Sequence, residues 1–184
     1  MNKFLIAIVI IAAVVIGWFA FRGGGRETSE EVQQLTPTQV SGSFTKGAAA
    51  PDFSLVDFEG GTHTISDYKG KAIVLDFWAG WCPFCVAELP LLQEAQDKYP
   101  EDLVMIGVHR TDTESLSTGI RFANERGVSY LLVSDSNGSL YKAAGGFGMP
   151  VSVFIDKEGV VQEIKSGPKT EQEIKEKIEK LIEK

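Results

Sequence analysis

Cysteine and histidine are scarce in this sequence. The chain of 184 residues contains two cysteines, Cys82 and Cys85, and two histidines, His63 and His109. Two thiols are too few for the several disulfides that hold small secreted scaffolds together, and too few for a four-thiolate zinc site. The histidines do not show the spacing of metal ligands, so we predict that the chain has no metal site.

An excess of positive charge is also absent. The 18 lysines and arginines are outnumbered by 25 aspartates and glutamates, which gives a formal net charge of −7. A chain of this charge repels the phosphate backbone, so we predict no nucleic-acid partner. Hydrophobic residues make up 43% and charged residues 23% of the sequence, a balance typical of a globular protein.

One long segment near the N-terminus lacks charged residues. Every residue from Phe4 to Phe21 is apolar or small, and as a helix this run would be about 27 Å long, close to the hydrocarbon thickness of a bilayer. We therefore predict a single transmembrane helix as an anchor at residues 1–21, with residues 4–21 in the lipid bilayer. A cleaved signal peptide needs a shorter apolar region followed by small residues, whereas bulky residues from Trp18 onward end this run. A buried helix of the soluble domain is the other alternative.

A linker is expected after the anchor. Residues 22–46 start with Arg22 and three glycines, are then rich in Glu, Gln, Ser and Thr, and lack sustained apolar periodicity. We interpret residues 22–46 as a flexible linker and residues 47–184 as one domain. A domain of this length can bury roughly two-thirds of the surface that its unfolded chain exposes.

Strand and helix patterns alternate within this domain. Residues 51–56 and 62–65 are typical of a short hairpin joined through two glycines, and the continuous apolar run Ala72–Trp78 indicates a buried central strand. Helices are expected from Cys82 to about Tyr99, from the capping pair Thr111 and Glu114 to about Gly127, at residues 139–144, and after the capping pair Thr170 and Glu173. Further strands are expected at residues 103–108, 130–133, 151–155 and 160–164. The order predicts an α/β fold with a central mixed sheet flanked by helices on both faces and preceded by an N-terminal hairpin.

The two cysteines stand at the start of a predicted helix. Cys82 follows the central strand, and Cys85 lies three residues later in the segment Trp81-Cys82-Pro83-Phe84-Cys85. The unpaired N–H groups and the dipole of a helix N-terminus stabilise an anion, which favours the Cys82 thiolate and lowers its pKa below the free value of about 8.5. We therefore expect Cys82 to be the attacking thiol and Cys85 the buried resolving thiol. Because this pair carries the electrons itself, we expect no other cofactor.

Other interpretations of a CxxC pair fit the sequence less well. Haem attachment requires a histidine after the second cysteine, and residue 86 is Val86. A peroxidatic cysteine is expected to have a proline seven residues before it and a threonine three residues before it, where this sequence has Leu75 and Ala79. A purely structural disulfide over so short a span at a helix start would be strained, which favours redox cycling.

Several segments of this sequence resemble those of a known family. Residues Val74 to Cys85 look like the active-site segment of the thioredoxin superfamily, and residues 50–55 with 68–71 look like its membrane-tethered TlpA/ResA-type branch. Glu88 matches the acidic residue that this branch carries beside its cysteines. The segment Gly148-Met149-Pro150 matches the cis-proline loop of the superfamily.

The resemblance implies a thioredoxin-like fold and thiol–disulfide exchange with protein dithiols and disulfides. It implies a single-pass protein of the cell membrane whose domain lies on the extracytoplasmic side, and a membrane electron donor. The expected direction is reductive, for instance in cytochrome c maturation. An oxidative or isomerising protein of the same fold, a thiol peroxidase and a redox-inert binding module are the alternatives. The dipeptide Pro83-Phe84 departs from the branch and leaves the direction open.

The resemblance also supplies candidate site residues around the cysteines. A cis peptide at Met149–Pro150 would place that loop beside Cys82 for pairing with an extended substrate, and Trp81, Pro83 and Phe84 are candidates for an apolar substrate-binding rim.

Two acidic residues are candidates for proton transfer. Asp76, in the central strand, matches the buried aspartate of thioredoxins, which TlpA-like proteins often lack. Burial should raise the pKa of a carboxyl in a strand. Our hypothesis is that Asp76 or Glu88 transfers the proton of Cys85.

Overall fold

The computed structural model describes residues 38–183. The predicted anchor at residues 1–21 and most of the predicted linker lie outside the described residues. Within residues 38–183, no helix is long and apolar enough to cross a bilayer.

Eight strands form one mixed sheet in the described part of the chain. The strands are β1 (Gln39–Val40), β2 (Phe53–Asp57), β3 (Thr62–Thr64), β4 (Ala72–Trp78), β5 (Leu103–His109), β6 (Leu131–Ser134), β7 (Val151–Ile155) and β8 (Val161–Ser166). Their order is β1-β2-β6-β5-β4-β7-β8, with β3 paired to β2. Strands β4, β5 and β6 run parallel, whereas β7 is antiparallel to β4 and to β8.

The helices are α1 (Pro83–Lys98), α2 (Leu116–Glu125), α3 (Ser139–Ala143) and α4 (Glu171–Ile182), and a 3₁₀ turn spans Ile65–Tyr68. Helices α1, α2 and α4 contribute to the apolar cluster on one face of the sheet, and α3 contributes to the cluster on the other. The predicted α/β architecture is therefore confirmed, including the β2–β3 hairpin and the capping pair of α4, Thr170 and Glu173.

Strand β4 lies inside the sheet, between β5 and β7, and both of its faces are covered. Its seven residues are all buried. Ile73, Leu75 and Phe77 belong to one apolar cluster, whereas Val74 and Trp78 belong to the cluster that contains both cysteines. Asp76 lies between Val74 and Trp78 in the alternation of the strand, so its side chain faces the cysteine side of the sheet.

Two local sequence interpretations need correction. Helix α2 begins at Leu116 with Ser115 as its N-cap, so the expected capping pair Thr111 and Glu114 is wrong. The Glu114 side chain instead contacts Gly80 and His109; these contacts between distant parts of the fold outweigh the local capping signal.

The boundary between linker and domain also lies earlier than residue 47. Gln39–Val40 pairs with β2, and Phe44 is buried in the core with Phe53. Residues 38–46 therefore belong to the edge of the sheet and its packing, although their polar composition favoured a linker.

Candidate active site

Cys82 occupies the N-cap position of α1. Pro83 is the first helical residue, where a missing N–H group leaves no intrahelical bond unmade. The Sγ atom of Cys82 accepts a hydrogen bond from the backbone N–H of Cys85 at 3.2 Å. The predicted placement at a helix N-terminus is confirmed, and the free N–H groups of the first turn are available to a negative charge on Cys82.

The two cysteines form a disulfide and differ in accessibility. Cys82 Sγ is bonded to Cys85 Sγ, and the two Cα atoms are 5.3 Å apart. Cys82 is 3% exposed and Cys85 is fully buried. The order of exposure fits attack through Cys82 and resolution by Cys85.

The antiparallel pairing of β4 and β7 brings the Met149–Pro150 loop to the cysteines. Phe77 is paired with Val151, so Pro150 lies beside the end of β4. The segment that follows β4, residues 79–82, is the cysteine loop. The Met149–Pro150 peptide is cis, as expected. Met149 packs against the apolar cluster that contains Cys82 and Cys85.

Tyr141 holds the same loop from behind. Its hydroxyl donates a hydrogen bond to the carbonyl of Gly148 at 2.9 Å, and the Arg110 guanidinium lies 3.7 Å from the centre of its ring. Sequence reasoning did not identify Tyr141, because an aromatic residue in a short helix is ordinarily a core residue.

Exposed aromatic side chains lie in the segment around Cys82 and in the loop before Pro150. Trp81 is 55% exposed, Phe84 is 59% exposed, and Phe147 is fully exposed at 102%. The indole N–H of Trp81 donates to Thr113 Oγ1 at 3.1 Å, which fixes the orientation of its ring. Pro83 is also exposed. Sequence reasoning missed Phe147, although an aromatic residue among the glycines of residues 145–148 was a usable signal.

Asp76 and Glu88 lie in one buried cluster with Lys169. Ser152 Oγ donates to Asp76 Oδ1 at 2.5 Å, and Lys169 Nζ lies 3.4 Å from the same oxygen. Lys169 Nζ lies 2.6 Å from Glu88 Oε2, and the Lys169 backbone N–H donates to Glu88 Oε1 at 2.6 Å. The two predicted acids are thus brought together, and the lysine between them carries no sequence signal because lysines are ordinarily exposed.

Burial dominates the ionisation of this cluster. It raises the pKa of Asp76, and the nearby Lys169 ammonium only partly opposes this. Burial also raises the pKa of Glu88, and the Asp76 carboxylate raises it further. For Lys169, burial alone would lower the pKa, but the two carboxylates outweigh it and the pKa is raised. The carboxyls therefore hold protons more tightly than ordinary acids do.

His109 supports the cysteine loop from behind and is not exposed. Its Nε2 atom lies 2.6 Å from Glu114 Oε1, and the Gly80 N–H donates to the same oxygen at 2.5 Å. Burial lowers the pKa of His109. The arrangement fixes the backbone two residues before Cys82, which indicates a structural role for His109. Within residues 38–183, no three His, Cys, Asp or Glu side chains are grouped to hold a metal ion.

Comparison with known proteins agrees with this geometry. The Redoxin family profile matches residues 45–182. The thiol-disulfide oxidoreductase ResA of Geobacillus thermodenitrificans is 34% identical over 135 residues, which cover 73% of this chain and 77% of the relative. The name of this relative states an activity that the Cys82–Cys85 pair can perform.

Solved structures share the fold. A chain described as a putative thiol:disulfide interchange protein DsbE, from Chlorobium tepidum, is 28% identical with a TM-score of 0.68, covering 76% of this chain and 99% of the other. The exposed lipoprotein thioredoxin of Streptococcus pneumoniae strain TIGR4 is 32% identical with a TM-score of 0.60, covering 71% and 99%. The chain belongs to the Redoxin family, as a thiol–disulfide oxidoreductase with a thioredoxin-like fold.

Proposed function

We propose that this chain is a membrane-tethered reductase of protein disulfides that works outside the cytoplasmic membrane, for instance in cytochrome c maturation. The observation that carries the proposal is the pairing of Cys82 at a helix N-terminus with the fully buried Cys85, next to a cluster of two buried carboxyls. Cys82 and Cys85 carry the electrons, so no further cofactor is required.

Reduction proceeds in two exchange steps. The Cys82 thiolate attacks one sulfur of the substrate disulfide, the substrate S–S bond breaks, and the departing thiolate takes a proton from solvent. Cys85 then loses its proton, attacks Cys82 Sγ and breaks the mixed disulfide. The second substrate thiolate leaves and takes up the proton that Cys85 gave. Two electrons have moved to the substrate, and a membrane electron donor restores the dithiol.

Asp76 is the better placed of the two carboxyls to take the proton of Cys85. Its Oδ2 atom is buried and has no hydrogen-bond partner among the described residues. Glu88 Oε2 also lacks a hydrogen bond, but it is ion-paired with Lys169 Nζ at 2.6 Å, and Glu88 Oε1 accepts from the Lys169 backbone N–H. Asp76 also faces the apolar cluster that contains Cys85. We therefore assign the base role to Asp76 and a charge-balancing role to Glu88.

The buried carboxyls also favour the reductive direction. Stabilisation of the reduced form makes a disulfide a stronger oxidant. Negative charge near Cys85 opposes formation of a thiolate there, so the reduced form does not gain the stabilisation of a second thiolate and the couple does not become a strong oxidant. The N-terminus of α1 has the opposite effect, because it stabilises the Cys82 thiolate and with it the reduced form. The redox potential of the couple depends on both effects.

Substrate binding uses the surface around Cys82. The backbone of Met149, next to Pro150, pairs with an extended substrate segment. Trp81, Pro83 and Phe84, together with Phe147, contact its apolar side chains. This surface suits unfolded protein segments better than small polar disulfides, because exposed aromatic groups gain most from apolar contact.

Residues 4–21 place the domain at the bilayer, and the linker lets it reach substrates. The extracytoplasmic placement is supported by the similar thioredoxin of Streptococcus pneumoniae, whose name describes it as an exposed lipoprotein. A membrane-impermeant thiol reagent applied to intact bacteria that express the reduced full chain tests this placement. Labelling of Cys82 before lysis is expected, and labelling only after lysis would contradict it.

The equilibrium potential of the Cys82–Cys85 couple tests the direction. We expect the full chain in detergent, equilibrated against glutathione buffers, to have the potential of thioredoxin, about −270 mV. A potential of about −120 mV, the value of a strong oxidant, would instead support an oxidative enzyme. The Cys85→Ser variant is the control, since it forms no internal disulfide.

A further inference from the structure

Lys169 is a buried cation with two anionic partners. Its side chain is fully buried, and Nζ lies 2.6 Å from Glu88 Oε2 and 3.4 Å from Asp76 Oδ1. The residue immediately precedes Thr170, the N-cap of α4, and its backbone N–H is held by Glu88 Oε1. Three elements, β4, α1 and the start of α4, therefore meet at one ammonium group.

The charges of this cluster do not balance when both carboxyls are ionised. One ammonium and two carboxylates leave one net negative charge in a buried place, which is costly without further compensation. Among residues 38–183, the other titratable groups at the cluster are Tyr130, from the segment before β6, and Cys85, which lies one helical turn before Glu88 on α1. Tyr130 is buried, and its pKa is raised by burial and by both carboxylates, so it stays neutral and leaves the charge of the cluster unchanged.

We propose that Lys169 is a positioning residue that keeps one carboxylate of the Asp76–Glu88 pair ionised at neutral pH, so that this carboxylate accepts the Cys85 proton. The proposal rests on the proton-transfer step of the proposed function. Without the ammonium, two buried carboxyls would share a proton too tightly to act as a base. With it, the pair carries one proton and one open acceptor.

The proton that leaves Cys85 reaches the departing substrate thiolate by way of the carboxylate. It moves from Cys85 Sγ to the carboxylate, and Cys85 Sγ forms the bond to Cys82 Sγ as the Cys82–substrate bond breaks. The departing substrate thiolate then receives the proton from the carboxyl. Lys169 gives up no proton; its charge sets the pH above which the carboxylate is available.

The two steps can be separated with a coloured aryl disulfide. Mixed with the reduced full chain in detergent, it releases one aryl thiolate when Cys82 attacks and a second when Cys85 resolves the mixed disulfide. For Lys169→Met, we expect the pH profile of the second release to move upward by about one unit, which slows that release about tenfold at neutral pH. The first release should stay within about twofold.

Two variants control for structure and charge. Lys169→Arg keeps the charge and should restore the profile to within about 0.3 pH units. Lys165→Met removes a partly exposed lysine near Glu173 and should leave the profile unchanged. An unchanged second release in Lys169→Met, or equal shifts in Lys169→Met and Lys165→Met, overturns the proposal.

Failure of this inference differs from failure of the proton-transfer step. If Asp76→Asn and Glu88→Gln both leave the second release unchanged, the carboxyl role itself is wrong. If they alter it and Lys169→Met does not, only the role of Lys169 is wrong. Should Lys169→Met not fold, the double variant K169M/E88Q is compared with E88Q. An upward shift in the double variant supports the proposal, and equal profiles overturn it.

Discussion

The two cysteines of the disulfide face opposite kinds of surroundings. On the Cys82 side, Trp81 just before α1, Phe84 in the first turn of α1 and Phe147 in the loop before Pro150 are exposed to solvent. Behind Cys85, Asp76, Glu88 and Lys169 are buried with their charges paired at 2.6 and 3.4 Å. The difference assigns the two exchange steps to two regions: apolar contact at the surface captures the substrate, and buried charge controls its release.

The largest effects should come from the sulfurs themselves. Cys82→Ser is expected to abolish reduction of protein disulfides, by on the order of 10³-fold or more, because no thiolate remains to attack. Cys85→Ser should still attack but should accumulate the mixed disulfide. Non-reducing mass spectrometry after mixing with a protein substrate distinguishes the two. Accumulation in Cys82→Ser rather than in Cys85→Ser would reverse the comparison.

Removal of the base should slow only the step on the buried side. We expect Asp76→Asn to slow the second aryl thiolate release by about 10²-fold at neutral pH, within the usual range for loss of a general base. The first release, which depends on Cys82, should change much less. Stopped-flow absorbance measures both phases, and equal slowing of the two would show that the regions are not separate.

The same carboxyls should make stability depend on pH. Burial raises the pKa of Asp76 and of Glu88, so the folded chain holds protons that the unfolded chain has lost. The free energy of unfolding should therefore fall as the pH rises above about 4 toward the raised pKa values. Asp76→Asn should flatten this decline in urea unfolding of the full chain in detergent.

Asp97 provides the matched control for that experiment. It is an exposed carboxylate on α1, hydrogen-bonded only to Gln93 in the described structure. Asp97→Asn should leave the decline with pH as it is in the wild type. A stability that rises across the same range in the wild type would contradict the burial of the carboxyls.

The smallest effect is expected on the exposed side. Phe147→Ala should raise the KM for a disulfide-containing unfolded protein about fivefold, since an exposed aromatic ring loses about 1 kcal/mol of apolar contact. The KM for a small disulfide should not change. Ile120→Ala, at another exposed apolar residue on α2, is the control. Equal effects on large and small substrates would remove Phe147 from the binding surface.

Sequence patterns predict the elements that are encoded locally. The apolar run of β4, the Cys82–Pro83 helix start and the Met149–Pro150 loop all carry their signals within a few residues, and each is found as predicted. The fold class follows from the order of such elements.

What local patterns miss is set by contacts between distant segments. Lys169 meets Glu88 across 81 positions of the chain, and nothing near Lys169 indicates that its ammonium is buried. The local sequence predicts a capping role for Glu114, whereas in the structure its carboxylate accepts a hydrogen bond from the distant Gly80 N–H. Gln39–Val40 joins the sheet because β2 offers a free edge, which composition alone does not show.

The pH dependence of alkylation of the reduced full chain tests the central claim most directly. With iodoacetamide and peptide mapping, Cys82 should react at neutral pH at least about tenfold faster than the same thiol in the denatured chain, while Cys85 remains unmodified. Reaction of Cys82 no faster than in the denatured chain, or modification of Cys85 first, would contradict the division between an attacking thiolate and a protonated resolving thiol.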